Sequence, residues 1–196
     1  MTRAMGRLIP AIAAAVLGVA AMTAPASADI GGPAYQFMKS VKDKDLYKAN
    51  TLLSEPGAAI VDYRDPDTGE SALHMVVKRR DVTWINFLLG KGANPNVEDR
   101  SGNTPLILAA AQGFTDGVSA LISGKADVNR RNRSGETPLI KAVQALNTPT
   151  VRVLMAAGAK PDLSDHVTGY SALDYAERDR RAGAILRLLK SPAKVD

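Results

Sequence analysis

Two histidines are all the imidazole in this 196-residue chain. His74 stands three residues after Ser71, a spacing at which a hydroxyl and an imidazole meet on one helical turn as nucleophile and base. His166 follows Asp165, and an imidazole beside a carboxylate is the beginning of a metal site. The stretch Asp65-Pro66-Asp67-Thr68-Gly69-Glu70 gathers three carboxylates and invites comparison with a calcium loop. None of the three is completed. No third ligand lies at helical or hairpin spacing from His166. A helix–loop–helix calcium site needs glycine at its sixth position and glutamate at its twelfth, and counting from Asp65 these are Glu70 and Val76. The chain has no cysteine, which excludes disulfides, thiolate zinc sites and thiol nucleophiles. No phosphate loop, dinucleotide fingerprint or serine-hydrolase elbow is present. The expectation is therefore no catalytic residue, no metal and no cofactor. A hydrolase or metal-binding enzyme using His74 or His166 stands as the remote alternative.

The residues that could position any site are organised by a repeat. RSGNTPLILAAAQG occupies residues 100–113, and RSGETPLIKAVQAL follows it by 33 residues. The phrase Gly102-Asn103-Thr104-Pro105-Leu106 recurs as Gly135-Glu136-Thr137-Pro138-Leu139, with Gly69-Glu70-Ser71-Ala72-Leu73 33 residues before it and Gly169-Tyr170-Ser171-Ala172-Leu173 34 residues after the third copy. Leu88-Leu89, Leu121-Ile122, Leu154-Met155 and Leu188-Leu189 keep the same step, as do Gly92-Ala93, Lys125-Ala126 and Gly158-Ala159. A fixed period of this length is the mark of a stacked-repeat fold.

The phrase has a local physical meaning. Thr104 stands where a helix N-cap accepts from an exposed backbone amide. Pro105 then takes the first helical position, where its missing donor costs nothing. Leu106 opens the buried face, Ala109 and Ala110 let the next unit come close, and Gly102 suits a turn residue with positive φ. For the second helix of the third unit, Thr148-Pro149 reads as cap then proline, and Gly158 as a left-handed stop. Lys125 occupies that stop in the second unit, with Gly124 one earlier, which predicts an altered or strained helix end. Trp84, Phe87 and Leu88 read as one buried face of a second helix.

Taken together these markers resemble the ankyrin repeat, a turn followed by two antiparallel helices, and the resemblance covers about residues 34–190. It implies an all-α solenoid of stacked helix-turn-helix units with short β-hairpin or loop fingers. His74 falls on the family's histidine position, where the ring braces neighbouring backbone, while the other copies have Ile107, Ile140 and Asp174 there. The expected divisions are a capping helical pair at 29–66 (helices at 35–41 and 45–53), repeats at 67–99, 100–132 and 133–166, a capping repeat at 167–190 and a tail at 191–196. The first finger, 54–69, is read as three residues longer than the next.

Residues 1–28 read as an export signal: Arg3 and Arg7, an apolar run from Leu8 to about Met22, then Ala26-Ser27-Ala28 as a small-x-small cleavage site. The expectation is cleavage after Ala28, a periplasmic mature chain of bacterial style, and no stable membrane insertion thereafter. The mature chain carries 23 basic and 20 acidic residues, a balance too mild to point to nucleic acid. Charge is uneven along it. Residues 29–99 have 9 basic and 11 acidic groups, whereas residues 100–164 have 8 basic and 4 acidic, with Arg130, Arg131 and Arg133 together and Arg100 one finger earlier.

The resemblance implies that binding is done by finger tips and the exposed side of each first helix, lining a groove. On this chain those positions are Asp67, Thr68, Glu70, Lys78 and Arg79 in the first unit, and Arg100, Ser101, Asn103, Ala111 and Gln112 in the second. The third and fourth supply Arg131, Arg133, Ser134, Glu136, Gln144 and Ala145, then Val167, Thr168, Tyr170, Arg178 and Asp179. Arginine is enriched at interface hot spots because its planar fork makes several directional bonds. The reading is a non-catalytic, monomeric adaptor or modulator that binds another protein, with the central arginines meeting an acidic patch. An envelope-associated structural protein binding an acidic surface is the alternative.

Overall fold

The computed structural model describes residues 31–55 and 60–191. The expected signal segment and residues 192–196 of the expected tail lie outside the described residues, as does part of the first finger. The described residues form α1 (Pro33–Asp43), α2 (Leu46–Leu53), α3 (Ala72–Lys78), α4 (Val82–Gly90), α5 (Pro105–Ala111), α6 (Thr115–Ser123), α7 (Pro138–Gln144), α8 (Thr148–Ala156), α9 (Ala172–Arg178) and α10 (Gly183–Lys190). They pair as hairpins, α3 with α4 through to α9 with α10, behind the leading pair α1 and α2. Inner helices α1, α3, α5, α7 and α9 stack in that order, and outer helices α4, α6, α8 and α10 stack beside them.

Local chemistry sets the short helices. The Thr104 hydroxyl accepts from Ile107 N at 3.3 Å and that of Thr137 from Ile140 N at 3.2 Å, each followed by proline at the first helical position. Helices α3, α5, α7 and α9 are each only seven residues long. Helices α3, α5 and α7 end where the chain turns left-handed, at Arg80 (φ 58°), Gly113 (φ 59°) and Leu146 (φ 52°), whereas α9 ends on extended backbone at Asp179 (φ −99°). Of the outer helices, α4 begins on Asp81, whose side chain accepts from Trp84 N at 3.1 Å, and α8 on Asn147, which accepts from Thr150 N at 2.9 Å. The second cap corrects the sequence reading. Asn147 caps α8, its amide oxygen accepting from Thr150 N, so Thr148 is the first residue of the helix and Pro149 its second. The leading helix likewise starts two residues before the expected Tyr35, on Pro33.

The core is built from equivalent positions in register. Leu73, Leu106 and Leu139 of the inner helices are all but inaccessible, and so are Ile85, Val118, Val151 and Ile185 of the outer ones. Trp84 is buried and meets Phe87 edge-on, with ring centroids 5.4 Å apart. Each unit has too little apolar surface to close on itself, so its buried face exists only against a neighbour. The end of the stack shows the change this requires. Val77, Ala110 and Val143 are buried, but the equivalent fourth residue is the exposed Glu177, paired with Lys190 at 2.8 Å.

The outer helices are followed by Gly92 (φ 84°), Lys125 (φ 70°) and Gly158 (φ 85°). Lys125 is therefore held left-handed at a solvent-facing position where both sister units have glycine. A side chain there costs about 1–2 kcal/mol, partly offset by the greater chain entropy glycine has in the unfolded state. Lys125→Gly is expected to raise stability by about 0.5–1 kcal/mol in urea unfolding. Leu146→Gly, at another left-handed position, is expected to lower it, because Leu146 packs against the core.

Candidate functional site

The groove between the fingers and the inner helices is assembled from short loops that organise themselves. Each finger has an Asp or Asn at its base whose Oδ1 accepts two or more backbone amides of the tip. Asp65 takes Asp67 N at 3.0 Å and Thr68 N at 2.9 Å, and Asp99 takes Ser101 N and Asn103 N, both at 2.8 Å. Asn132 takes Ser134 N at 3.0 Å and Glu136 N at 2.9 Å, and Asp165 takes Val167 N at 2.9 Å and Thr168 N at 2.6 Å. Two backbone bonds close each middle loop: Asp99 N donates to Asn103 O and Gly102 N to Asp99 O, both at 3.0 Å, and Asn132 N donates to Glu136 O at 3.0 Å and Gly135 N to Asn132 O at 2.9 Å. Among the described residues the strand pairing is limited to single bridges, Arg64 with Ser71 and Ser164 with Ser171, so the fingers are loops rather than extended hairpins.

Neighbouring fingers are joined by backbone rungs. Arg100 N donates to Thr68 O at 3.1 Å, Arg133 N to Ser101 O at 3.1 Å, and His166 N to Ser134 O at 2.8 Å. Glycine is required beneath each rung for two separate reasons. Gly69, Gly102 and Gly135 have φ between 74° and 79°, and a Cβ on them would stand 2.7–2.8 Å from the amide nitrogen of the next finger. Gly169 has a similar φ of 71° but nothing within 4 Å, since among the described residues no finger packs against it.

The positions expected to bind a partner separate into three groups. Asp67, Thr68, Ser101, Arg131 and Arg133 are exposed at the tips, as are Gln112 and Gln144 at the ends of their helices. Arg100 is exposed too, with its guanidinium donating to the Pro66 carbonyl of the previous finger. A second group is paired within the chain. Lys78 bridges Glu70, Lys141 bridges Glu136 at 3.2 Å, and Asn132 Nδ2 donates to Asn103 Oδ1 at 2.9 Å, while Ser134 lends its carbonyl to the last rung. Arg79 forms the third group and is a correction. It points into the stack, donates to Asp81 Oδ2 at 3.3 Å and to the Val41 carbonyl, and lies 5.2 Å from the centre of the Trp84 ring. Arg79 thus fastens the leading pair to the first repeat. The expected arginine cluster also divides, since Arg130 reaches Glu98 at 2.7 Å and leaves Arg131 and Arg133 outward.

The last unit differs from the others. Tyr175 Oη donates to Asp165 Oδ2 at 2.6 Å, Tyr170 meets Tyr175 edge-on at 5.6 Å, and the Arg178 guanidinium lies 4.0 Å from the centre of the Tyr170 ring. Burial pushes the Asp165 carboxyl upward, but the bonds from Tyr175, Thr168 and Val167 outweigh it and hold the group at about 2. Sequence reasoning placed Tyr170 and Arg178 in the groove but missed Asp165 and Tyr175. The available signal was the Asp-x-x-Thr-Gly tip shared by residues 65–69 and 165–169.

His74 is inaccessible, and so is Ser71 beside it. Its Nδ1 accepts from Ser71 N at 3.1 Å and lies 2.9 Å from Ser71 Oγ, and its Nε2–H donates to Asn103 O at 2.9 Å in the next finger. The pair caps α3 and ties two repeats, with no access for a substrate. Asp174 keeps half of this role, accepting from Ser171 N at 2.9 Å within its own unit. Asp65 is occupied by its own loop, and His166 supplies a rung through its backbone.

A family model described as "Ankyrin repeats (3 copies)" matches residues 37–132 and again 120–196. The chain is 37% identical over 78 residues to the oxysterol-binding protein homolog 1 of Saccharomyces cerevisiae, which is 38% of this chain and 7% of that protein. It is 30% identical over 134 residues to the nuclear factor NF-kappa-B p105 subunit of Gallus gallus, 66% of this chain and 14% of that protein. It is also 30% identical over 143 residues to the ANK repeat-containing protein nipk-1 of Caenorhabditis elegans, 65% of this chain and 23% of that protein. The alignments thus span less than a quarter of these relatives' own length.

Two outcomes test this geometry. Gly102→Ala is expected to destabilise by more than 2 kcal/mol and Gly169→Ala by only about 1–2 kcal/mol, since the second meets backbone strain without a neighbouring finger. Equal losses in urea unfolding would show that the rung spacing is slack. Burial holds the His74 imidazole below its ordinary value of 6.5, so the unfolded chain binds the extra proton first as pH falls. The contribution of His74 is whole above 6.5 and is lost on acidification toward its folded pKa. Unfolding between pH 8 and about 5 should show a slope of up to about 1.4 kcal/mol per pH unit that His74→Asn removes.

Proposed function

The chain belongs to the ankyrin-repeat family, whose repeats bind other proteins, and on that premise we propose that it is a non-catalytic adaptor or modulator acting in the periplasm. Export rests on residues 1–28, with their basic start, apolar run and Ala26-Ser27-Ala28. The mature chain works as a monomer. Its partner is a protein that carries an acidic patch and lies across the finger tips. The observation that carries this reading is the row of outward arginines on adjacent fingers: Arg100, Arg131 and Arg133 are exposed, and none of them forms an ion pair among the described residues. Loops ordered by their own hydrogen bonds present those cations at a set spacing, which lowers the entropy lost on binding. The same fingers leave Asp67 and Thr68 exposed at the first tip, so opposite charge is offered at the other end of the row.

Affinity capture from an osmotic-shock fraction tests it, with residues 29–196 as bait beside an Arg100/Arg131/Arg133 charge-reversal variant. One protein enriched by the wild type and reduced at least tenfold by the reversal is expected. Equal capture by both would remove the fingers from the interface. Capture of membrane fragments or cell wall in place of a protein would favour the envelope-bound alternative, with association falling steeply as salt rises.

A further inference from the structure

Across the four units the groove cation and its counter-charge can be compared position by position. In the first unit Lys78 on the inner helix is neutralised by Glu70 on the finger. In the third, the uncharged Gln144 stands at the Lys78 position, and Glu136, at the same finger position as Glu70, is neutralised by Lys141 from one turn earlier on α7, at 3.2 Å. The second has Asn103 and Ala111 and carries no charge at either place. In the fourth unit the cation is Arg178, equivalent to Lys78, but the carboxylate position has become Tyr170.

An aromatic ring fixes a guanidinium without neutralising it. Arg178 lies over the Tyr170 face at 4.0 Å, so the ring orients the planar group while its edge donors stay available for a carboxylate. Tyr170 is itself held by Tyr175, and Tyr175 by the buried Asp165, so the guanidinium is positioned through a chain of contacts rather than left to wander. The cleft beside it, about 700 Å³, is lined by Gln144 and Tyr175 and by three arginines, Arg178, Arg180 and Arg181, against one carboxylate, Asp179. Arg181 already holds that carboxylate with two bonds, at 3.1 and 2.8 Å. Neither Arg178 nor the exposed Arg180 forms an ion pair among the described residues, although Asp174, one turn earlier on α9, feels the charge of Arg178. The opposite end of the groove has the reverse balance, its cleft lined by Asp43, Asp65, Asp67 and Glu70 against Lys39 and Lys42.

We propose that this last unit is a carboxylate-anchoring site, in which Arg178 and Arg180 receive the Asp or Glu side chains of an acidic segment of the partner protein lying across α7 and α9. The inference rests on the groove reading given above and adds the point at which the partner is fixed. The partner's acidic end sits at the fourth unit and its less acidic end at the first, because the groove's own charge changes sign between them. Tyr170 stands where the first and third units have glutamate, and an internal carboxylate there would occupy the site.

The test uses the mature chain and a defined probe, an acetylated and amidated tetrapeptide of alternating glutamate and aspartate. Its glutamine–asparagine counterpart and sodium sulfate are the controls. The readout is the ¹⁵N–¹H signal of each arginine Nε. The acidic peptide is expected to shift Arg178 and Arg180, and the amide peptide to shift neither. Tyr170→Glu, which restores the internal carboxylate, should weaken peptide binding at least tenfold, as should Arg178→Gln, with thermal unfolding showing both variants folded. Unchanged peptide binding in both variants overturns the proposal. If binding then disappears in the Arg100/Arg131/Arg133 variant, the carboxylates are met by the fingers, and the general groove reading survives alone. Sulfate that shifts the same signals with equal affinity would make this a small-anion site and overturn the assignment to a protein segment. An acidic peptide that shifts no arginine signal also overturns it, while the groove reading is decided separately by the capture experiment.

Discussion

Three backbone hydrogen bonds, from Arg100, Arg133 and His166 to the carbonyls of the finger before, set the spacing from which every other surface feature takes its position. Their effect reaches further than their individual strength, since a typical protein hydrogen bond contributes only about 1 kcal/mol net. A rung brings two backbones so close that a single methyl group would collide with the neighbouring amide. The helices below can slide and repack to a degree, as apolar contacts do, but a directional bond over a glycine leaves little freedom in register. Finger arginines and groove side chains therefore repeat at one spacing, and the stack presents a ruled surface instead of independent loops.

The stack itself was legible in the sequence because its determinants are local and repeated. Thr104 and Thr137 cap, Pro105 and Pro138 start, and leucines follow at the buried step. Where one of these signals is duplicated by a neighbour, as at Asn147 and Thr148, the reading went to the wrong residue of the two. Lys125 was readable as a strained helix end because the sister positions are glycine. The groove was less legible. Arg79 and Gln112 occupy equivalent places, yet Arg79 turns inward because Trp84 and the end of α1 give its long side chain something to cover, and no other unit has that pair. Asp165 and Tyr175 lie ten residues apart, and their bond depends on how the last finger folds over α9.

Charge pairing explains why the surface of this molecule differs from one unit to the next although the scaffold does not. A bridge such as Lys141 with Glu136 contributes little to stability at partly exposed positions, and its larger consequence is to cancel a field that a passing protein would otherwise feel. The first and third units cancel theirs. The fourth keeps a guanidinium in place with an aromatic ring, which supplies orientation and leaves the charge standing. Selectivity along the groove is thus written as much by where counter-charges are present as by where cations are.

The two middle fingers share a four-residue tip, Asp99-Arg100-Ser101-Gly102 and Asn132-Arg133-Ser134-Gly135, whereas the outer two use five residues. The molecule therefore behaves like a short crystal with a 33-residue unit cell bounded by two different faces. Deleting residues 100–132 would splice Asp99 directly onto Arg133, in front of the same Ser-Gly tip, and would offer the Arg133 amide to the Thr68 carbonyl that Arg100 had used. The reach of the groove is in that sense an integer that recombination could change one unit at a time, with both ends intact.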